Sequence, residues 1–140
     1  MNRIRRIPDG YFNGCVRLTS LLIDFNVLTF INESTFTYMS KIETLDLSYN
    51  EIPALHENTF SGMAIVRSLY LGGNEISSIS PRLLHPLTEL RTLGLSGNKL
   101  TRLDILTLTN STRISTLNLG GNLLTTIDSA FLQPLRELQY

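Results

Sequence analysis

The chain has 140 residues, 42% hydrophobic and 17% charged, which excludes an extended disordered chain and suits one domain rather than two. Its 12 Lys+Arg balance its 12 Asp+Glu, so bulk nucleic-acid binding and adhesion to an anionic membrane have no electrostatic basis. A single cysteine excludes an internal disulfide and a Cys-based zinc site, and no apolar run reaches the roughly 18 residues of a membrane span.

The opening residues, MNRIRRIPDG, carry charge without an apolar stretch and are not expected to form a secretory signal. Asn2 begins a pattern that governs the rest. Asparagine recurs at 26, 50, 74, 98 and 122, in equal steps and with no insertion, which defines a 24-residue period. After Asn2 come Ile4, Ile7, Phe12, Cys15 and Leu18, and each heads a column at the same spacing. The Phe12 column, for example, continues as Phe36, Phe60, Leu84, Leu108 and Leu132. The first predicted strand is 20–23, and the next four are 44–47, 68–71, 92–95 and 116–119. In T-L-D-L-S, apolar and polar residues alternate at period two, as a strand with one buried face requires. A whole repeat separates one strand from the next, so neighbours must run parallel through a crossover. The return segments are too short and irregular for stable helices and are expected to be 3₁₀-like. The fifth, DILTLTNSTR, puts Ile105 and Leu106 where other repeats are mostly polar and Ser111 where they are apolar. Either the local packing swaps which residues point inward, or an apolar patch is exposed there.

The residues IETLDLSYNEI, VRSLYLGGNEI, LRTLGLSGNKL and ISTLNLGGNLL resemble the leucine-rich repeat family, with LTSLLIDFNVL a weaker copy. The resemblance covers essentially the whole chain. It implies an α/β-type, right-handed solenoid, a curved arc of short parallel strands with an irregular or 3₁₀ convex side. It also implies a stacked asparagine ladder through Asn26, Asn50, Asn74, Asn98 and Asn122. The expected organisation is a single array over 1–140, about five full repeats with partial ones at each end. Neither end shows a cap, so a piece of a longer array is expected, with self-association through the uncapped ends as one consequence. The 24-residue unit resembles the type common in extracellular members such as Toll-like receptors, Slit-like guidance proteins and small proteoglycans.

Reactive groups are not gathered. Cys15 falls in the Met39/Met63 column and is expected to be a small buried apolar residue. His56 and His85 lie on different repeats and are expected to be solvated. Gly72-Gly73 and Gly120-Gly121 lack the third glycine and the Lys-Ser/Thr of a phosphate loop. Asp24 and Asp46 are near neighbours on adjacent repeats, but two carboxylates make a weak cation site. No metal or cofactor is therefore expected. The triplets beginning at Asn32 and Asn110 are candidate N-glycosylation sites, although a chain this rich in Ser and Thr yields such triplets by chance.

An uninterrupted period leaves no loop from which to build a catalytic pocket, so an enzyme is not expected. The first reading is a protein-interaction module from a cell-surface or secreted protein, with a protein ligand or co-receptor as partner. No nucleic acid and no membrane insertion by this segment are expected. The alternatives are a cytoplasmic adaptor and a structural spacer. Strand residues pointing away from the core form the concave face. Leu22, Asp24, Asp46, Tyr49 and Tyr70 are its candidate contacts, since exposed aromatics beside charges are the composition of binding hot spots. Phe25 and Tyr49 have a second reading, as covers for the strand-end turn.

Overall fold

The computed structural model describes residues 2–139. Five three-residue strands form one parallel sheet in chain order: β1 (Ser20–Leu22), β2 (Thr44–Asp46), β3 (Ser68–Tyr70), β4 (Thr92–Gly94) and β5 (Thr116–Asn118). Their register is the one the sequence period imposes, Leu21 beside Leu45, Leu69, Leu93 and Leu117. Each strand stops one residue earlier than the alternation predicts. Pairing between repeats nonetheless continues beyond it. The amide of Leu47 donates to the Tyr70 carbonyl at 2.9 Å, that of Leu71 to Gly94 at 2.8 Å, and that of Tyr49 to Gly72 at 2.7 Å. Each strand ends because the chain swings into a left-handed residue at position 25, 49, 73, 97 or 121.

The inward leucines of the middle strands, Leu45, Leu47, Leu69, Leu71 and Leu93, are buried. Full burial of such a side chain stabilises by about 1.5–3 kcal/mol before chain entropy is counted. Phe12, Phe36 and Phe60 stack in file with ring centroids 6.4 Å apart at each step. Each repeat needs a neighbour on both sides to close its share of this core. The outermost described repeats have one neighbour only, so Leu21, Ile23, Leu117 and Leu119 are partly buried. The same cause corrects the expectation for Cys15, which is half-buried rather than enclosed. In the last repeat Phe131 takes the inward place and Leu132, of the expected column, is exposed. Amide exchange should accordingly be slowest at 69–71 and 93–95 and fastest toward 4 and 138. Uniform protection of a monomer along the chain would contradict a core built from nearest-neighbour contacts.

The return segments are chains of turns with i→i+3 bonds, as from Thr35 to Asn32 (3.0 Å) and Met39 to Phe36 (3.0 Å), and the same bonds recur in the next repeat at Thr59 and Met63. One short helix, α1 (Ser129–Leu132), departs from the irregular pattern. Asp128 caps it, its side chain accepting from the Ala130 amide at 2.8 Å. In the irregular fifth segment no inward swap occurs. Ile105 and Leu106 are exposed, while Thr107 and Ser111 are buried with hydroxyls that have no partner. His56 is exposed. His85, expected to be solvated, is half-buried, and its Nε2 is enclosed without a hydrogen bond.

The asparagines tie successive turns together. Asn74 Oδ1 accepts from the Ile52 amide at 3.1 Å, and its Nδ2 donates to the carbonyls of Leu47 and Leu71, each at 3.0 Å. Asn50 and Asn98 repeat the pattern one turn to either side. Asn122 repeats all three bonds, its Nδ2 donating to the carbonyls of Leu95 and Leu119, while Asn26 repeats the Oδ1 contact and the bond to its own strand. An amide offers two N–H donors and a separate acceptor, which a hydroxyl does not, and the bend leaves an N–H and two carbonyls pointing inward to take them.

Candidate functional site

Side chains pointing away from the core line the strands in rows about 4.8 Å apart. Leu22, Asp46, Tyr70, Gly94 and Asn118 are partners in one row. The next row along the face is Asp24, Ser48, Gly72, Ser96 and Gly120, and at the strand exits stand Phe25, Tyr49, Gly73, Gly97 and Gly121. The face is therefore graded, aromatic and acidic in its first half and small in its second.

The strand-exit column is where the chain must adopt φ > 0. Gly73, Gly97 and Gly121 do so freely, at φ 66, 66 and 68°. Phe25 and Tyr49 occupy the same backbone state at φ 51 and 54°, a strained choice for bulky side chains. Their rings stack, with centroids 4.4 Å apart and planes 10° from parallel. Tyr49 then lies over Gly73, where an added Cβ would come within 2.6 Å of its Cδ1. The covering geometry and an outward aromatic surface coexist, because Phe25 is 45% and Tyr49 56% exposed. Tyr70 leans the same way over Gly94, whose added Cβ would sit 3.2 Å from the ring. Tyr49 and Tyr70 thus each rest on a glycine of the following repeat.

The structure places Tyr49 and Tyr70 on one recess of about 250 Å³, completed by Ser48, Gly72, Gly94 and Ser96 among others. Leu22, 63% exposed, and Asp24 line a different hollow of about 460 Å³ at the first repeat, together with Ile4 and Tyr11. Asp46 is half-buried, and its Oδ1 accepts from the Ser48 amide at 2.9 Å and from the Ser48 hydroxyl. Asn118 holds the Gly120 amide in the same way at 3.1 Å. Phe25, Ser48 and Ser96 belong to the face by their strand phase, although only Leu22, Asp24, Asp46, Tyr49 and Tyr70 are expected from sequence as contacts. The column of three glycines was the available signal, since it marks the left-handed state that the aromatics share. Among the described residues, no three His, Cys, Asp or Glu side chains come together as metal ligands would.

Other surface features border this face or lie away from it, Glu43 and Arg67 standing immediately before β2 and β3 at its edge. Inter-repeat ion pairs join Glu43 to Arg67 (3.0 Å), Glu57 to Arg82 (3.5 Å), Glu75 to Lys99 and Glu89 to Arg113. All are exposed enough to contribute little, about 0–1 kcal/mol each. Asn110 is exposed, whereas Asn32 is half-buried and its Oδ1 accepts from the amide and hydroxyl of Ser34. Among the described residues no helix is long and apolar enough to cross a membrane.

One short parallel strand per turn, bound by an asparagine ladder and offering an open side-chain face, defines a repeat solenoid of the interaction-scaffold class. The chain belongs to the leucine-rich repeat family: the family model, described as leucine rich repeat, matches residues 1–52, 16–76, 41–100 and 88–140. Among solved structures it is similar to a leucine-rich repeat protein of Leptospira interrogans, at 27% identity and a TM-score of 0.87, covering 99% of this chain and 34% of that one. It is similar to TLR13 in a TLR13–ssRNA13 complex, at 26% identity and a TM-score of 0.91, covering 98% and 19%. The LRIM1/APL1C complex matches at 26% identity and a TM-score of 0.91, covering 98% and 25%. The chain thus spans between about a fifth and a third of the length of these structures. Comparison with curated proteins finds no match. The fold is an interaction scaffold typically without catalysis, found in receptors and in complexes.

Proposed function

We propose that this chain is a protein-interaction module of a cell-surface or secreted leucine-rich repeat protein, and that its partner docks on the first half of the concave face. Tyr49 and Tyr70 are the anchors, with Asp46, Leu22 and Asp24 around them. The observation that carries this reading is the Phe25–Tyr49 stack. Two large rings are kept half-exposed in a backbone state for which three sister positions use glycine. Folding does not require that arrangement, and strain retained on an exposed face points to use. The fold's presence in the LRIM1/APL1C complex and in TLR13 supports a macromolecular partner. The RNA of the TLR13 complex does not transfer readily. The outward strand positions here carry Asp24 and Asp46 and no Lys or Arg, which repels phosphate.

Photo-crosslinking tests the face directly. A benzophenone amino acid at position 70 should trap the partner on cells that make the protein, and one at the convex position 37 should not. With that partner in hand, Tyr70→Ala should weaken binding at least about tenfold while circular dichroism is unchanged. Binding within a factor of two of the unmodified chain would remove this face from consideration.

A further inference from the structure

The recess between Tyr49 and Tyr70 also specifies the chemistry of what enters it. We infer that the partner presents a basic segment and seats an arginine side chain against Tyr49 and Tyr70 beside Asp46. This inference rests on the concave-face reading above.

Charge segregation is the first ground. The chain is neutral overall, with 12 Lys+Arg and 12 Asp+Glu, but its outward strand positions hold two carboxylates and no cation. The ion pairs among the described residues use Glu33, Glu43, Glu57, Glu75 and Glu89, and none uses Asp24 or Asp46. Asp24 and Asp46, unpaired on the outward strand positions, favour a positive partner and slow a negative one, with Arg67 and Arg91 only at the edge of the face.

Shape and surface are the second ground. Tyr49 and Tyr70 both line the recess, and Asp46 is the register partner of Tyr70 on the adjoining strand. Ser48, which Asp46 holds through one carboxylate oxygen, lines the recess as well. That leaves the second oxygen without a hydrogen bond among the described residues. A volume of about 250 Å³, lined also by Gly72, Gly94, Thr92, Thr116 and Asn118, takes one long side chain rather than a folded element. A guanidinium suits this setting: its flat face lies on an aromatic ring, and its N–H groups can reach Asp46, which borders the recess through Ser48 without lining it. An acidic or phosphorylated segment would meet like charge. A purely apolar one would cover Asp46 without giving it a partner.

Random twelve-residue peptides selected for binding to the full chain provide the test. The peptides that lose binding to Tyr70→Ala should be enriched in arginine and lysine. Their affinity should fall at least tenfold for Asp46→Asn, which keeps the acceptor oxygen for Ser48, and should weaken as salt is raised. Tyr70-dependent peptides without basic residues, or binding within twofold on Asp46→Asn, would overturn the basic-segment inference and leave the concave face standing. Peptides indifferent to Tyr70→Ala, or no enrichment at all, would count against both.

Discussion

Asn74→Ala is expected to destabilise the array by about 2–6 kcal/mol. Asn74 is 4% exposed and makes three bonds of 3.0–3.1 Å. The losses are unequal. The Leu71 carbonyl keeps the Asn98 amide at 2.9 Å, and the Leu47 carbonyl keeps the Asn50 amide at 3.0 Å. Each carbonyl therefore loses one of two donors, a penalty of about 0.5–1.5 kcal/mol per bond. The Ile52 amide loses its side-chain acceptor inside a buried turn, which adds about 1–3 kcal/mol. Asn122→Ala should cost less, because Asn122 is only half-buried and water can reach the groups it leaves behind. Urea melts of the two variants measure this. A loss below about 1 kcal/mol at Asn74 would mean that the ladder is not what holds the turns together, and equal losses would mean that burial does not set the cost.

That ladder was legible in the sequence because it depends only on phase. Once Asn recurs at a fixed interval, the leucines at 45, 69 and 93 must share a face and the strands must be parallel. What escaped depends on contacts between repeats that the column positions alone do not specify. Phe131 displaces Leu132 because the short helix after Asp128 rotates the inward position by one residue. Cys15 is half-buried because only one flanking repeat covers it. Ile105 and Leu106 stay outside because Thr107 and Ser111 hold the inward columns of Thr59 and Met63, and the phase of the repeat prevails over the side chains' polarity. At the face, the residues were readable but their conformation was not. Asp46 could be placed outward, yet its bond to Ser48 turns on a side-chain torsion. The stack of Phe25 on Tyr49 follows from a left-handed backbone that the glycines of the same column signalled, and that signal explains why glycines follow the rings.

The dependence of Tyr49 on a glycine one repeat later can be measured by comparing two identical substitutions. Gly73 and Gly97 share φ 66°, so alanine at either forces a β-carbon into the left-handed region at about 1–2 kcal/mol. At Gly97 nothing more is added, since the new Cβ would find its nearest atoms at 3.5 and 3.6 Å, an ordinary contact. At Gly73 it would meet the Tyr49 ring at 2.6 and 3.0 Å, and the ring must move. Displacing it breaks a 4.4 Å stack with Phe25 and adds a further penalty of about 1–3 kcal/mol. Gly73→Ala is therefore expected to destabilise by about 2–5 kcal/mol and to change the near-ultraviolet circular dichroism of tyrosine, whereas Gly97→Ala should leave that signal alone. A Tyr49→Gly background should remove the difference, since no ring is left to displace. It should also relieve the strain at φ 54°, so the single variant Tyr49→Gly should hold or gain stability while losing partner affinity. Equal destabilisation by the two alanines would show that the Tyr49 ring does not rest on Gly73, and a large loss of stability in Tyr49→Gly would show the rings to be packing elements of the fold rather than an outward surface carried by it.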